Sequence, residues 1–346
     1  MTLTITNPQT HFPASTAELP RIAILATGGT IAGSSPDATR TTGYQAGALG
    51  VQDLLFSLPQ LEQVAKIQAE QVAQMDSKDM TCTLWQKIAF RLNAVLAQPD
   101  IAGAVITHGT DTLEETAYYL HLTLNSHKPV VITAAMRPAT ALSSDGPLNL
   151  LNAVCVAANP ISSGRGVLVA MNNQIHCARD VVKTSTYAVD AFYSPEVGLL
   201  GWVQDNRVAF QRMPLRFHSI ESEFIGAMGE LPMVEVVSSY AGVSRIPVDS
   251  LVEAGVRGLV VAGTGNGSLH SVLQQALSAA VQRGVAVVRS SRVGSGHVMR
   301  NAAALDDQYD FISSGNLPPY KARVLLMLAL QAGIPHVRLQ SLFDRY

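Results

Sequence analysis

Two hydroxyl side chains stand in small-residue loops directly after apolar runs. Thr30 lies in Ala26-Thr27-Gly28-Gly29-Thr30-Ile31-Ala32-Gly33, and Thr110 lies in Thr107-His108-Gly109-Thr110-Asp111-Thr112. A threonine hydroxyl is a weak nucleophile at neutral pH and needs a base or a polarising neighbour. Lysine can serve as that base when partial burial and nearby cations lower its proton affinity. Lys183, in the polar run Arg179-Asp180-Val181-Val182-Lys183-Thr184, is the best-placed candidate. A helix starting just beyond Asp111 would aim free backbone N–H groups at the same space, which suits an anionic group or a developing oxyanion. Thr110-Asp111 equally fits a plain helix cap with an acidic first turn, and most loop lysines are merely solvated. Spacing alone leaves both pairs of readings open.

Other chemistries fit poorly. Gly263-Thr264-Gly265-Asn266-Gly267-Ser268 resembles a dinucleotide loop but lacks the acidic residue about 20 positions onward that would hold a ribose. Neither glycine-rich loop carries the Gly-Lys-Ser/Thr of a phosphate-binding loop. His108, at a strand end, fits packing or a backbone hydrogen bond better than general base catalysis. The remaining histidines and the three cysteines, Cys82, Cys155 and Cys177, show no metal-ligand spacing, so neither metal nor cofactor is expected. A net charge of -2 without a basic stripe argues against nucleic acid. No apolar run reaches the roughly 18 residues of a membrane span. Met1 to Pro20 has neither a basic segment nor an apolar one of secretory type. A cytoplasmic location is expected, or a periplasmic one if a signal has been removed.

The elements that must position these residues read as an α/β protein with two doubly wound domains and mainly parallel sheets, the N-terminal domain larger. The apolar run Ile22 to Ala26 reads as a buried parallel strand. In open α/β sheets the loops leaving the strands' carboxyl ends are where ligands bind. Further strands are expected at Ile101 to Ile106, Val130 to Ala135 and Val167 to Met171, with helices at Thr81 to Leu96 and Leu113 to Leu124. Ser34 to Gly50 reads as a long loop beside Thr30, suited to a mobile lid. The expected organisation is an extension over 1–20, a first domain over 21–211, a linker over 212–232 and a second α/β domain over 233–346. Strands Met233 to Val237, Gly258 to Ala262 and Val285 to Ser290 belong to the last, with its final helix near Lys321 to Ala332. Only 14% of residues are charged, against a soluble average of about 25%, which hints at extensive subunit contact.

Taken together, these residues resemble the bacterial-type L-asparaginases and glutaminase-asparaginases. The resemblance rests on the two threonine loops and on Ala135-Met136-Arg137-Pro138, Ser144-Asp145-Gly146-Pro147-Leu148-Asn149-Leu150 and Arg179 to Thr184. Gly265-Asn266-Gly267, Ser290-Ser291-Arg292-Val293 and Lys321-Ala322-Arg323-Val324-Leu325-Leu326 extend it, so that it runs from about Pro20 to Tyr346. It implies hydrolysis of a side-chain amide to a carboxylate and ammonia. Thr30 is then the acylated nucleophile, and Tyr44 on the lid helps to activate it. Thr110, Asp111 and Lys183 relay protons and activate water. Asp111 also meets the substrate's α-ammonium, Ser77 holds its α-carboxylate, and the Ala135 carbonyl contacts the amide. Gly29, Gly109, Lys78 and Ser268 complete the substrate-binding set. The family further implies a homotetramer of intimate dimers, with sites completed between subunits.

Three positions depart from the secreted members. Lys78 stands where Gln or Glu is usual, and Ser268 replaces the second Asn of Gly-Asn-Gly-Asn. No carboxylate occupies Ala303-Ala304-Leu305, where the neighbouring subunit's acid would fall. Losing a charge-assisted contact costs about 1.5–3 kcal/mol, so an active enzyme with a raised KM is expected. Ser126 takes one position of the disulfide found in some periplasmic members, which fits a reducing compartment. The competing expectations are a non-catalytic amino-acid sensor of the same fold and an ammonia-supplying amidase subunit of an amidotransferase.

Overall fold

The computed structural model describes residues 18–227 and 229–346, so most of the N-terminal extension lies outside the described residues. Strands β1 (Arg21–Gly28), β2 (Lys66–Met75), β3 (Ile101–Thr107), β4 (Val130–Thr133), β5 (Val167–Met171) and β6 (Gln174–Cys177) come first. A two-stranded ribbon, β7 (Val182–Lys183) and β8 (Phe192–Tyr193), precedes β9 (Gly201–Gln204) and β10 (Arg207–Phe210). The large sheet has the order β10-β9-β6-β5-β4-β3-β1-β2. Its five strands from β2 to β5 are parallel, and β6, β9 and β10 form an antiparallel edge.

Both faces of the parallel part are covered, as continuous apolar strands require. Ala23, Leu25, Ala104 and Ile106 join a core shared with helices Cys82–Leu96 and Leu113–Thr123. The alternate residues Ile22, Ile24, Ala26 and Val105 pack with helix Gly146–Ala158 on the opposite face. From β1 the chain moves to β2 on one side, whereas from β3 it moves to β4 on the other. The crevice where ligands settle in such sheets therefore opens at the carboxyl ends of β1 and β3. Thr30 and Thr110 follow those two ends.

A separate parallel sheet orders β11 (Val234–Ser238), β12 (Gly258–Gly263), β13 (Ala286–Ser291) and β14 (Ile312–Ser313) in sequence. Helices Ile246–Glu253 and Ser271–Gln282 cover one face. Helix Pro319–Gln331 covers the other, and its Val324, Leu325 and Leu328 share the core of helix Leu113–Thr123. The mixed α/β, mainly parallel architecture read from the sequence is thus the one observed.

Local expectations agree within a residue or two in most elements. Thr81 caps its helix, its hydroxyl accepting from the Leu84 N–H at 3.2 Å. Two differ. The helix expected as final ends at Gln331 and a further one, His336–Phe343, follows; Gly333 and Pro335 mark the break between them. Within 212–232, the turn Ser219–Glu221 and hydrogen bonds from Phe217 N to Arg345 O and from Glu223 N to the Tyr346 hydroxyl bind the described chain to the C-terminal residues, and Phe224 is buried in the core.

Candidate active site

Two glycines let the crevice close. Gly29 has φ 79°, and a Cβ placed on it would sit 2.3 Å from the Gly109 Cα. A Cβ on Gly109 would come within 2.4 Å of the Ser77 Oγ. Any larger residue would push the three loops apart. Ser77, in a 3-10 turn after β2, ties them instead: its Oγ accepts from the Asp111 N–H at 3.2 Å, and its carbonyl accepts from the Thr112 hydroxyl at 2.7 Å.

The junction leaves a cavity of about 310 Å³ lined by Thr30, Tyr44, Asp76, Ser77, Thr110, Asp111 and Lys183, among others. All its lining residues lie between Thr30 and Tyr187. A smaller cavity of about 40 Å³, between residues 179–182 and 290–298, contains none of the candidate catalytic side chains.

Within the larger cavity the candidate catalytic groups form a pair and a trio. The Thr30 hydroxyl lies 2.6 Å from the Tyr44 hydroxyl, and Thr30 is otherwise buried. Burial pushes the Tyr44 phenol above its ordinary value, and the negative charges of Asp111, Asp76 and Asp145 act the same way. Tyr44 therefore stays a neutral phenol near pH 7, able to pass a hydrogen bond but not standing as a phenolate. Across the cavity the Lys183 Nζ donates to the Thr110 Oγ1 at 2.9 Å and to the Asp111 Oδ1 at 2.6 Å. The Lys183 backbone N–H donates to Glu114 Oε2 at 2.7 Å. Glu114 stands in the first turn of the helix that follows Asp111, so one short segment orients the hydroxyl, the carboxylate and the lysine.

Asp111 does not cap that helix; the cap position is Thr112, and its side chain makes no cap bond. Thr110 and Asp111 instead spend their side chains on Lys183. His108 is fully buried, and burial lowers it to about 4. Trp85 donates to Thr116 Oγ1, which lies 3.0 Å from His108 Nε2, while His108 Nδ1 lies 2.7 Å from the Gly109 carbonyl oxygen. Its role is to hold the Gly109 peptide, as its place at a strand end suggested.

The structure does not bring every expected residue to this cavity. Lys78 turns away, exposed, to pair with Asp76 Oδ2 at 2.7 Å and Asp79 Oδ2 at 3.5 Å. Asp76 lines the cavity, a carboxylate that the sequence reading did not count; its only sequence signal is its place beside Ser77. Ala135 is fully buried and does not line the cavity, although its neighbour Met136, whose N–H donates to Asp145, does. Ser268 is absent from the lining and pairs with Thr264 in a tight bridge. The carboxylates next to Ala303-Ala304-Leu305 are engaged elsewhere: Asp306 in a fully buried pair with Arg289, Asp307 with Arg300. Among the described residues no group of three or more His, Cys, Asp or Glu could hold a metal ion. Cys155 and Cys177 are buried free thiols, which burial raises to about 11 and about 12; Cys82 is half-buried and also free.

The two-domain α/β architecture is matched by known proteins. Residues 21–216 match the family described as Asparaginase, N-terminal, and residues 233–343 match the Glutaminase/Asparaginase C-terminal domain. The chain belongs to the asparaginase family. It is 47% identical to the "Probable L-asparaginase periplasmic" of Haemophilus influenzae over 335 residues, 96% of this chain and 95% of that protein. It is 45% identical to "L-asparaginase 2" of Escherichia coli, over 97% of this chain and 96% of that one. A crystal structure titled as a probable cytoplasmic L-asparaginase from Campylobacter jejuni superposes with a TM-score of 0.92. That chain is 44% identical, with 94% of this chain and all of that one covered.

Proposed function

We propose that this protein hydrolyses L-asparagine to L-aspartate and ammonia through an ester on Thr30, with L-glutamine as a secondary substrate. The observation that carries the reading is the presence in one cavity of two hydroxyl-bearing sets: Thr30 with Tyr44, and Thr110 with Lys183 and Asp111. The Thr30 Oγ attacks the amide carbon. Its proton passes through the neutral Tyr44 hydroxyl toward the departing nitrogen, and the C–N bond breaks to release ammonia. Water then attacks the ester, its proton drawn through Thr110 and the Lys183–Asp111 pair. The acyl C–O bond breaks, and the Thr30 hydroxyl re-forms. Proton transfer and oxyanion stabilisation each contribute on the order of 10²–10⁴-fold in such reactions. Asp111, with Asp76 beside it, offers negative charge to the substrate's α-ammonium, and Ser77 offers its hydroxyl to the α-carboxylate.

The site's lining from one part of the chain, and the exposure of Phe56, Tyr187, Leu215 and Val337, support a homotetramer in which a neighbouring copy covers the cavity. The likeness to a structure titled as a probable cytoplasmic L-asparaginase supports a cytoplasmic location. Among the described residues no helix is long and apolar enough to cross a membrane.

The test is ammonia release from L-asparagine and L-glutamine by the purified chain, beside Thr30→Ala and Lys183→Met. Turnover by the wild type with both variants silent is expected. Release from neither amide would transfer the fold to an amino-acid sensor or a partner-dependent amidase. Mass spectrometry of the trapped adduct should find Thr30 acylated; acylation of Thr110 would exchange the two roles.

A further inference from the structure

Lys321 is a fully buried cation outside the cavity. It stands at the start of helix Pro319–Gln331, which packs beneath the C-terminal sheet. Its Nζ donates to three backbone carbonyls, Ala178 at 2.8 Å, Arg179 at 2.9 Å and Val181 at 2.5 Å. Those carbonyls belong to the strap that runs from β6 to Lys183. Three donors on one ammonium meeting three acceptors is complete satisfaction of a buried lysine. Burial lowers its proton affinity to about 8, while the carboxylates of Glu114 and Asp180 favour its charge. Glu114 also accepts the Lys183 backbone N–H. The same strap is held further by Arg179, which donates to Asn316 Oδ1 at 2.9 Å and to the Tyr346 main-chain oxygen.

Backbone bonds from Ala178 N to Val167 O and from Asp180 N and Val181 N to Cys177 O tie the first part of the strap to the sheet, while the carbonyls of Ala178, Arg179 and Val181 turn to Lys321. We propose that Lys321 is a positioning residue: by gathering the Ala178, Arg179 and Val181 carbonyls it fixes the strap and so sets the Lys183 ammonium against Thr110 and Asp111. The C-terminal part of the chain thereby tunes proton transfer in a site to which it contributes no lining side chain. The proposal rests on the catalytic reading of Lys183 given above.

The test compares Lys321→Met, Lys321→Gln and Leu326→Ala with Lys183→Met. Leu326 lies on the same helix, fully buried against Gly258, away from the strap. A misplacement of about 1 Å costs on the order of 10²-fold, so Lys321→Met should lower kcat by at least about tenfold with KM within about twofold. Lys321→Gln, whose amide can serve two of the carbonyls, should fall between it and the wild type. Leu326→Ala should lower the unfolding temperature comparably yet keep kcat within about twofold, since it forms a cavity without touching the strap. A kcat loss that tracks the unfolding temperature in all three variants would overturn the positioning role. So would an unchanged kcat in Lys321→Met, or failure of both Lys321 variants to fold, which would assign Lys321 to core stability alone. If Lys183→Met itself retains turnover, the fault lies in the catalytic reading; if only Lys183→Met is silent, it lies in the positioning role.

Discussion

The Thr30 side and the Thr110 side of the cavity are built to different stiffness. The Thr30 hydroxyl has one side-chain partner, Tyr44, carried on the loop 34–50, whose residues from Pro36 to Gly43 are exposed. A bridge between Ser34 and Gln45, a few backbone bonds and the side chains of Thr140 and Gln74 fasten that loop at its two ends. The Thr110 side is braced from several directions: Ser77 below, Lys183 across, Glu114 behind Lys183, and His108 under the Gly109 peptide. In the proposed reaction an acyl donor must enter and ammonia must leave, and a Thr30 partner carried on an exposed loop suits that passage. Proton transfer through the Thr110 side would need fixed distances, because it declines steeply with misplacement.

Breaking each side should separate these duties. The largest effect is expected from Thr30→Ala, which removes the bond-forming oxygen and should lower turnover by at least about 10³-fold with no trapped adduct. Thr110→Ala should instead slow deacylation, so that the Thr30 ester accumulates in single-turnover experiments; no ester in that variant would erase the division of labour. Next in size, Tyr44→Phe should cost about 10²-fold in kcat with KM nearly unchanged. Because burial and three carboxylates hold Tyr44 as a phenol, its loss should leave the limbs of the pH–rate profile in place. Disappearance of a limb would show that Tyr44 itself titrates.

A smaller effect is expected where the braces act on binding. Ser77→Ala removes the acceptor for the Asp111 N–H, and one lost hydrogen bond of about 1–1.5 kcal/mol should raise KM roughly five- to tenfold. An unchanged KM would show that the Ser77 carbonyl and Thr112 suffice. Last comes a change in stability rather than rate. Burial raises the Glu115 carboxyl to about 7 from 4.5 in the unfolded chain, chiefly against the pull of Arg323. Between those values the unfolded chain has released a proton that the folded chain keeps. This contribution is therefore fully present below 4.5, declines as pH rises and levels off above 7. Glu115→Gln should flatten the decline, gaining on the order of 3 kcal/mol at pH 8 relative to pH 4.5. Denaturant titrations at the two pH values would read the difference, and parallel curves would refute it.

Much of the frame was legible in the residues. Apolar runs ending in Gly-Gly-Thr and Gly-Thr-Asp mark strand exits because only glycine fits the positive φ at Gly29 and the contact at Gly109. The parallel sheets and most helix limits followed from apolar spacing and caps such as Thr81. The family resemblance supplied Tyr44 and Ser77, which no local pattern distinguishes. Other features were illegible. The departure at Lys78, which stands where Gln or Glu is usual, gave no sign of its exposed pairing with Asp76 and Asp79 or of the Asp76 carboxylate in the cavity wall.

Local residue patterns were enough to mark the candidate reactive groups and their place at strand ends, since strand, turn and cap preferences act over a few residues. Which of those groups meet follows from the packing of the whole fold. Thr30, Ser77, Thr110 and Lys183 are brought together by the order of β2, β1 and β3 and by the strap beyond β6, and strand order depends on packing both faces of the whole sheet at once. The parts played by Glu114 and Lys321 are of the same kind. A carboxylate that accepts a backbone N–H 69 residues away, or an ammonium that gathers carbonyls some 140 residues away, leaves no local pattern, because each becomes satisfied only when the core closes around it.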